Sequence, residues 1–367
     1  MLICKECGAR YQTNDPRWRC DCGGLLDLDF QPRFDRAKIQ SRKPTMWRYR
    51  EAIPIDRDEH VVSFSEGFTP MIELQFGKIP VLFKQDHLFP TGSFKDRGAS
   101  VLVSKIKELG ITRVVEDSSG NAGSAVAGYC AGAGIDCDIY VPDSTSEGKC
   151  SQVTGYGARL TRVPGSREDT AKAAYEAAAS TYYASHTWNP WFFHGTKTFA
   201  YEVCEQLGWK SPGTLVTPVG NGTLLLGAAI GFNELVNAGI IDRLPRIIAV
   251  QTKACAPLAA AGKGSPITTS PTIAEGIAVA EPLRGRDIVA AVERSEGFFM
   301  TVEEEDIRRG LGDMLSRGFY IEPTSAVVCA AIAKLAHKRE LEQPVVSLFT
   351  GHGLKAAEKI VKLLAGD

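Results

Sequence analysis

Short apolar runs alternate with longer amphipathic segments from about residue 79 to the C-terminus. Short β-branched runs predict buried strands, whereas longer runs with apolar residues three or four positions apart predict helices. The predicted strands are 81–83, 113–115, 137–141, 214–216, 246–250 and 345–349. The predicted helices are 94–108, 120–132, 147–156, 222–238, 302–317, 324–337 and 353–364.

This alternation predicts an α/β fold with open, mostly parallel sheets, because strands that are apolar on both faces need helices on both sides. Such sheets bind ligands at the carboxyl ends of their strands, so the residues that follow each strand are the candidate site. Residues 28–60 are polar, Arg-rich and weakly periodic, which indicates an arm rather than a domain.

Composition and charge exclude several classes of function. The 367 residues are enough for two or three domains. Lys and Arg number 42 and Asp and Glu 43, so a general binder of nucleic acid or of membrane surfaces is not expected. No apolar run is long enough to span a bilayer, and the first residues lack the pattern of a secretory signal. We therefore expect a soluble, cytoplasmic protein.

Lys95 follows the first predicted strand, at the start of a helix in the segment 90–98. Ser93 is a suitable N-cap, and Asp96 lies where a first turn favours an acid. A lysine beside a positive helix end has a lowered pKa, which favours the free amine that forms Schiff bases. A solvated lysine at an exposed helix start is the simpler interpretation of Lys95 alone.

Two further strand ends carry anion-binding patterns. Ser118, Ser119 and Gly120 precede a helix and leave backbone N–H groups for an anion such as a carboxylate, although the serines could equally cap that helix. The turn 218–223 has two glycines before a helix, which is typical of a phosphate cradle. It matches neither a GxGxxG fingerprint nor a Walker loop, and alone it is weak evidence.

Thr350 leaves the last predicted strand, where its hydroxyl could bind a heterocyclic nitrogen or cap the final helix. An amine, an anion-binding turn, a phosphate cradle and a neutral hydroxyl thus all follow strands of one predicted fold. Pyridoxal phosphate requires this set, since its aldehyde binds a lysine and its phosphate binds a helix end.

Five motifs carry a resemblance to a known family: PTGSFKDRG at 90–98, SSGNAG at 118–123, VGNGT at 219–223, EPTSA at 322–326 and TGHGLK at 350–355. They resemble threonine synthases, which are tryptophan-synthase-β-like (fold type II) pyridoxal phosphate enzymes. The resemblance covers roughly residues 61–360. It implies two open α/β domains: a large cofactor-binding domain of residues 31–85 and 190–367, and a smaller one of residues 86–189.

The resemblance also implies roles for individual residues. Lys95 would form the Schiff base and act as the general base, Asn121 would bind the phenolic oxygen, and Thr350 the pyridine nitrogen. The cofactor phosphate would be bound by Gly220, Asn221, Gly222, Thr223 and Leu224. Ser118 and Ser119 would bind the substrate carboxylate, and a second substrate anion has as candidates Ser93, Lys149 and Asn189.

The reaction implied by the resemblance converts O-phospho-L-homoserine and water to L-threonine and phosphate, by γ-elimination and β-addition, in a homodimer. Some positions depart from the family pattern. Trp191, Phe192 and Phe193 follow Asn189-Pro190, where an arginine is expected, and losing it weakens recognition of a phosphorylated substrate. Residues 274–279 look more like those of threonine or serine dehydratases. A cysteate synthase using phosphoserine and sulfite, a threonine/serine ammonia-lyase and a catalytically inactive relative therefore stay as alternatives.

The first 30 residues contain two pairs of cysteines, Cys4 with Cys7 and Cys20 with Cys22, ahead of a Gly-Gly-Leu-Leu sequence. Paired thiolates on two tight knuckles can bind tetrahedral zinc. The short CxC spacing departs from the usual CxxC, and four reduced cysteines are the simpler interpretation. The pattern predicts a zinc-ribbon-like segment, which some threonine synthases also carry.

Overall fold

The predicted strands and helices are present in the computed structural model, which describes residues 1–145, 147–261, 269–338 and 341–365. The chain divides into two units, residues 1–67 with 95–198 and residues 68–94 with 199–367. Residues 31–67, which were expected in the large domain, lie in the first unit. The predicted domain boundaries stay predictions.

The first unit contains two sheets. Its strands are β1 (Leu2–Cys4), β2 (Arg10–Tyr11), β3 (Leu26–Leu28), β6 (Arg113–Glu116), β7 (Asp136–Pro142), β8 (Arg159–Val163) and β9 (Tyr182–Tyr183). Strands β2, β1 and β3 form a small antiparallel sheet, in that order. Strands β8, β7, β6 and β9 form a four-stranded parallel sheet.

The parallel sheet packs against helices of this unit because its strands bury apolar residues. The helices of the unit are α1 (Arg36–Ser41), α2 (Lys95–Glu108), α3 (Asn121–Ala133), α4 (Glu147–Gly155), α5 (Arg167–Ala177) and α6 (Pro190–Thr196). The expected arm at 28–60 is not featureless, since it contains α1 and buries Met46, Ile53 and Ile55 against Val101 of α2. The apolar periodicity did not predict this packing, because the buried apolar residues of the segment are isolated and separated by polar residues.

The second unit is built on one six-stranded sheet of order β12-β11-β10-β13-β5-β4. Its strands are β4 (Met71–Phe76), β5 (Ile79–Lys84), β10 (Thr214–Pro218), β11 (Arg246–Thr252), β12 (Phe298–Val302) and β13 (Val345–Leu348). Only the edge strand β4 pairs antiparallel in this described sheet. The last strand, β13, lies between β10 and β5, so the carboxyl ends of three strands are neighbours where the strand order switches.

The helices of this unit are α7 (Thr198–Gln206), α8 (Thr223–Asn237), α9 (Pro257–Ala261), α10 (Gly285–Arg294), α11 (Glu304–Ser316), α12 (Pro323–Lys338) and α13 (Ala357–Ala365). Helix α12 packs Ala326, Val327 and Ile332 into the apolar core of the sheet. Within the described ranges, no helix combines the length and the apolar character that crossing a bilayer requires.

Candidate active site

Lys95 is the first residue of α2 and is only partly exposed. Its Nζ lies 5.6 Å from the ring centre of Phe192 on α6, a cation–π contact. The two helices approach closely at Gly98, where a Cβ would lie 2.3 Å from Phe192 Cε1. A fully solvated lysine is therefore the wrong interpretation, because the packing of α6 fixes an aromatic ring beside the amine.

Ser93 lies two residues before Lys95 and is fully buried. It pairs with Gly351 in an antiparallel bridge, and the next residue, Phe94, donates its N–H to the Thr350 carbonyl over 2.9 Å. The predicted N-cap is wrong, because Ser93 Oγ has no hydrogen-bond partner among the described residues. A buried hydroxyl is costly when it has no partner, so this atom is suited to meet a ligand.

The turn between β6 and α3 is the predicted carboxylate site. Gly120 is the N-cap of α3 and no side chain caps it; Ser118 Oγ instead accepts the Gly120 N–H at 3.2 Å. Capping of the helix by a serine is thus wrong. Gly123 allows the turn to fold onto the helix, since a Cβ there would lie 1.9 Å from the Ser118 carbonyl oxygen. The uncapped first turn of α3 is able to bind an anion.

Glu116 and His186 were missed by the sequence analysis. Glu116 is the last residue of β6 and is fully buried, with Oε1 2.7 Å from His186 Nδ1 and Oε2 accepting the Ser118 N–H. Burial raises the pKa of Glu116 to about 7 and lowers the pKa of His186 well below its usual value. An acid at the end of an apolar strand, beside the two serines predicted to bind an anion, was the signal in the sequence.

In the second unit, the predicted phosphate cradle follows β10 directly. Gly222 is the N-cap of α8, with φ of 75° and no side-chain cap. A Cβ on Gly220 would lie 2.8 Å from Ile277 Cα, and one on Gly222 would lie 2.4 Å from Ile288 Cδ1. Glycine is therefore required at both positions, and the backbone of the turn is left to face a ligand at the helix end.

Thr350 lies beyond β13, the neighbour of β10, and is buried. Its hydroxyl donates to Glu322 Oε1 at 2.7 Å and lies 2.9 Å from Ser325 Oγ, which accepts the Thr350 N–H. The capping alternative is wrong, because His352 is the N-cap of the 3₁₀ turn Gly353–Ala356 and its Nδ1 accepts the Leu354 N–H. Glu322 and Ser325 belong to the EPTSA motif but received no predicted role.

The remaining substrate-binding candidates differ in their surroundings. Asn189 is fully buried and caps α6; its Oδ1 accepts the Trp191 N–H and its Nδ2 donates to the Tyr182 hydroxyl over 2.6 Å. The side chain of Lys149 lies outside the described residues. Phe192 and Phe193, which stand near the position of the expected arginine, are buried in α6 and supply no charge for a second phosphate.

The four N-terminal cysteines come together on the small sheet of the first unit. Cys4 Sγ is 3.5 Å from Cys22 Sγ, Cys7 Sγ is 3.5 Å from Cys20 Sγ, and all four sulfurs lie within 4.8 Å of one another. Tetrahedral zinc with bonds of about 2.3 Å separates its sulfur ligands by roughly 3.8 Å. The hydrogen bond from the Tyr11 hydroxyl lowers the pKa of Cys20 to about 6, which favours a zinc-binding thiolate at this one position, whereas the pKa values of Cys7 and Cys22 are raised.

Individual residues of the site are suited to bind pyridoxal phosphate. They are a partly buried lysine, a close-packed glycine turn and a buried serine hydroxyl with no hydrogen-bond partner in the described part of the chain. The comparison with family models decides the assignment. The model of the pyridoxal-phosphate dependent enzymes matches residues 62–351. This chain belongs to that family.

Relatives within the family are threonine synthases. The chain is 31% identical to the threonine synthase of Methanocaldococcus jannaschii over 98% of its own length and 94% of the relative's. It is 32% identical to the enzyme of Methanosarcina acetivorans, over 98% of this chain and 93% of that protein. As expected from its motifs, the protein is a pyridoxal phosphate-dependent enzyme of the lyase type.

A solved structure confirms the fold. Threonine deaminase isoform 2 from Solanum lycopersicum, in its processed form, superposes with a TM-score of 0.70 at 20% identity, covering 92% of this chain and 91% of the other. The predicted fold type II architecture is therefore present. The roles of Lys95, Asn121, Thr350 and the other candidate site residues stay predictions.

Proposed function

We propose that this pyridoxal phosphate-dependent enzyme is a threonine synthase, which converts O-phospho-L-homoserine and water to L-threonine and phosphate. The observation that supports this most directly is the identity of 31–32% to threonine synthases over 98% of the chain. The retained motifs from Pro90 to Gly98 and from Thr350 to Lys355 also support a working enzyme over an inactive relative.

In this proposal, Lys95 and Asn121 would hold the aldehyde and the phenolic oxygen of the cofactor, residues 220–224 its phosphate and Thr350 its ring nitrogen. Bound pyridoxal phosphate supplies an electron sink that acidifies the carbon atoms of an amino-acid substrate. The Lys95 amine moves protons at the α and β carbons, and phosphate leaves from the γ carbon before water adds at the β carbon. The backbone around Ser118 and Ser119 orients the substrate by its carboxylate.

The second candidate function is that of a threonine/serine ammonia-lyase, and one observation favours it. The phosphate-binding arginine expected after Asn189-Pro190 is absent, and buried aromatic residues occupy that helix instead. A substrate without a phosphate, as in a threonine/serine ammonia-lyase, has no need of that arginine. A cysteate synthase, which uses phosphoserine and sulfite, is the further alternative.

Product analysis separates these candidates. The purified enzyme with its cofactor is supplied in parallel with phosphohomoserine, with phosphoserine and sulfite, and with threonine. Threonine and phosphate formed from phosphohomoserine support the proposal, whereas ammonia and an oxo acid formed from threonine support the ammonia-lyase. Lys95→Ala is the control, because it loses turnover and the visible absorbance of the lysine-bound cofactor in either case.

We also propose that Cys4, Cys7, Cys20 and Cys22 bind a structural zinc ion. The supporting observation is the clustering of the four sulfurs within 4.8 Å, at separations close to those of a tetrahedral site. Zinc would stabilise a segment whose strands β1–β3 are only two or three residues long. A homodimer and a cytoplasmic location are further proposals, which light scattering and cell fractionation test.

A further inference from the structure

Glu116 and His186 form a buried hydrogen-bonded pair of titratable groups within the first unit, at the end of β6. The exposed fraction is 0% for Glu116 and 6% for His186, and 2.7 Å separates Oε1 from Nδ1. The other carboxyl oxygen accepts the Ser118 N–H. Both carboxyl oxygens of Glu116 are hydrogen-bonded, so the group is held in one orientation.

The Glu116–His186 pair lies next to the turn at 118–121. Glu116 lies two residues before Ser118 and withdraws that N–H from any ligand. Ser118 Oγ in turn accepts the N–H of Gly120, the N-cap of α3, so Ser118 links the buried carboxyl group by hydrogen bonds to the turn where an anion would bind. Two negative charges near each other in a poorly solvated site repel strongly, whereas a protonated pair removes the repulsion.

Burial and nearby charged groups set the pH at which the Glu116–His186 pair takes up a proton. Burial is the largest influence on both groups, and it disfavours the charged form of each. Lys95 at the start of α2 and Arg167 on α5 favour the carboxylate and disfavour the imidazolium, whereas Asp117 on the same turn favours the imidazolium. Tyr183 on β9 and Cys137 on β7 also face Glu116, and both stay protonated because their pKa values are raised.

We propose that the Glu116–His186 pair takes up one proton when the carboxylate of an amino acid binds the turn at 118–121. The inference rests on the proposed function, which places an amino-acid carboxylate there. The proton comes from solvent, and the pair returns it when the ligand leaves. Above the pH at which the free pair titrates, affinity for the carboxylate falls by about tenfold per pH unit, the limit for uptake of one proton.

Calorimetry of the cofactor-loaded enzyme tests this proposal. L-threonine and acetate are titrated into the enzyme at pH 6 to 8.5, each in two buffers that differ in ionisation enthalpy. The difference between the heats of binding in the two buffers gives the number of protons taken up. We expect uptake in the wild-type protein that rises toward one proton at pH 8 and is absent in Glu116→Gln. The amine of threonine contributes equally to both proteins and cancels in this difference. Glu51→Gln is the matched control, because Glu51 lies in the same unit, pairs with Arg42 and should leave the uptake unchanged.

The outcomes separate the proton linkage from the proposed reaction. Uptake that depends on Glu116 with acetate, together with no threonine synthase activity, supports the pair and rejects the reaction. Equal uptake in the wild type and Glu116→Gln, or wild-type binding that does not change with pH, overturns the proposal. Binding of neither ligand to the wild type overturns it as well. If Glu116→Gln fails to fold, His186→Asn provides the second variant. The pH dependence of ligand binding by the wild-type protein tests the proposal even if neither variant folds.

Discussion

The hydroxyl of Thr350 donates a hydrogen bond to Glu322 Oε1, with 2.7 Å between the two oxygens. Ser325 Oγ lies 2.9 Å from the same hydroxyl and accepts the Thr350 N–H at 2.8 Å. Since the single proton of the hydroxyl is directed to Glu322, its oxygen offers a lone pair to any other group. Thr350 is therefore fixed by two side chains of the EPTSA motif before a ligand binds.

Thr350→Val removes this hydroxyl at nearly constant volume. We expect it to reduce the free energy of unfolding by about 1–3 kcal/mol, because Glu322 and Ser325 each lose a hydrogen-bond partner in a buried site. It should also weaken retention of pyridoxal phosphate, which is measured by absorbance after gel filtration. Thr350→Ser keeps the hydroxyl and is the control; if it behaves like the valine variant, the hydroxyl is not the important group.

Gly222→Ala tests the glycine turn that follows β10. The residue has φ of 75°, and a Cβ would lie 2.4 Å from Ile288 Cδ1. Gly239 is a matched control, since its φ is 65° but no atom lies within 4 Å of an added Cβ. Backbone strain lowers stability in both variants by roughly 1–2 kcal/mol, and overpacking adds about 1–3 kcal/mol only in Gly222→Ala. Denaturant unfolding and cofactor titration measure the two effects, and equal losses would contradict the assigned role of the packing.

Zinc content tests the cysteine cluster. We expect elemental analysis of the wild-type protein to find about one zinc per chain, and Cys20→Ser to lose most of it, because the thiolate ligand is replaced by a hydroxyl. Cys204→Ser changes a buried cysteine on α7 that lies outside the cluster, so its zinc content should match the wild type. A metal-free wild type after expression with added zinc would rule out the site.

Lys84 and Glu202 form an ion pair in the second unit that is fully buried at both ends, with 2.8 Å between Nζ and Oε2. Lys84→Met leaves the Glu202 charge in the core without this partner, so we expect a loss of about 3–5 kcal/mol in unfolding free energy. Adding Glu202→Leu should recover much of that loss. Denaturant melts of the three proteins test this, and a double variant as unstable as the single one would argue against pairing as the cause.

Much of the fold was predictable from local pattern. The bounds of α2, α3, α8 and α11 differ by one or two residues from the predicted ones, because a glycine or serine near an end marks where each helix begins or stops. Strands β4, β8, β9 and β12 were not predicted. Strand β9 is only two residues long and β8 alternates weakly, so neither is identified without its partner strand. Strand β4 alternates clearly from Ile72 to Phe76, and the prediction overlooked it.

The sequence by itself determined the cofactor family, since a lysine, three helix-start turns and a hydroxyl each follow a strand, and these are local features of the chain. Tertiary structure alone decided how those residues are supported. Ser93 is extended because it pairs with Gly351, Thr350 is held by Glu322, and Glu116 meets His186 seventy residues later. Such contacts arise when strands adjacent in space but distant in the chain pair and bury polar groups, and each buried group must then find its partner.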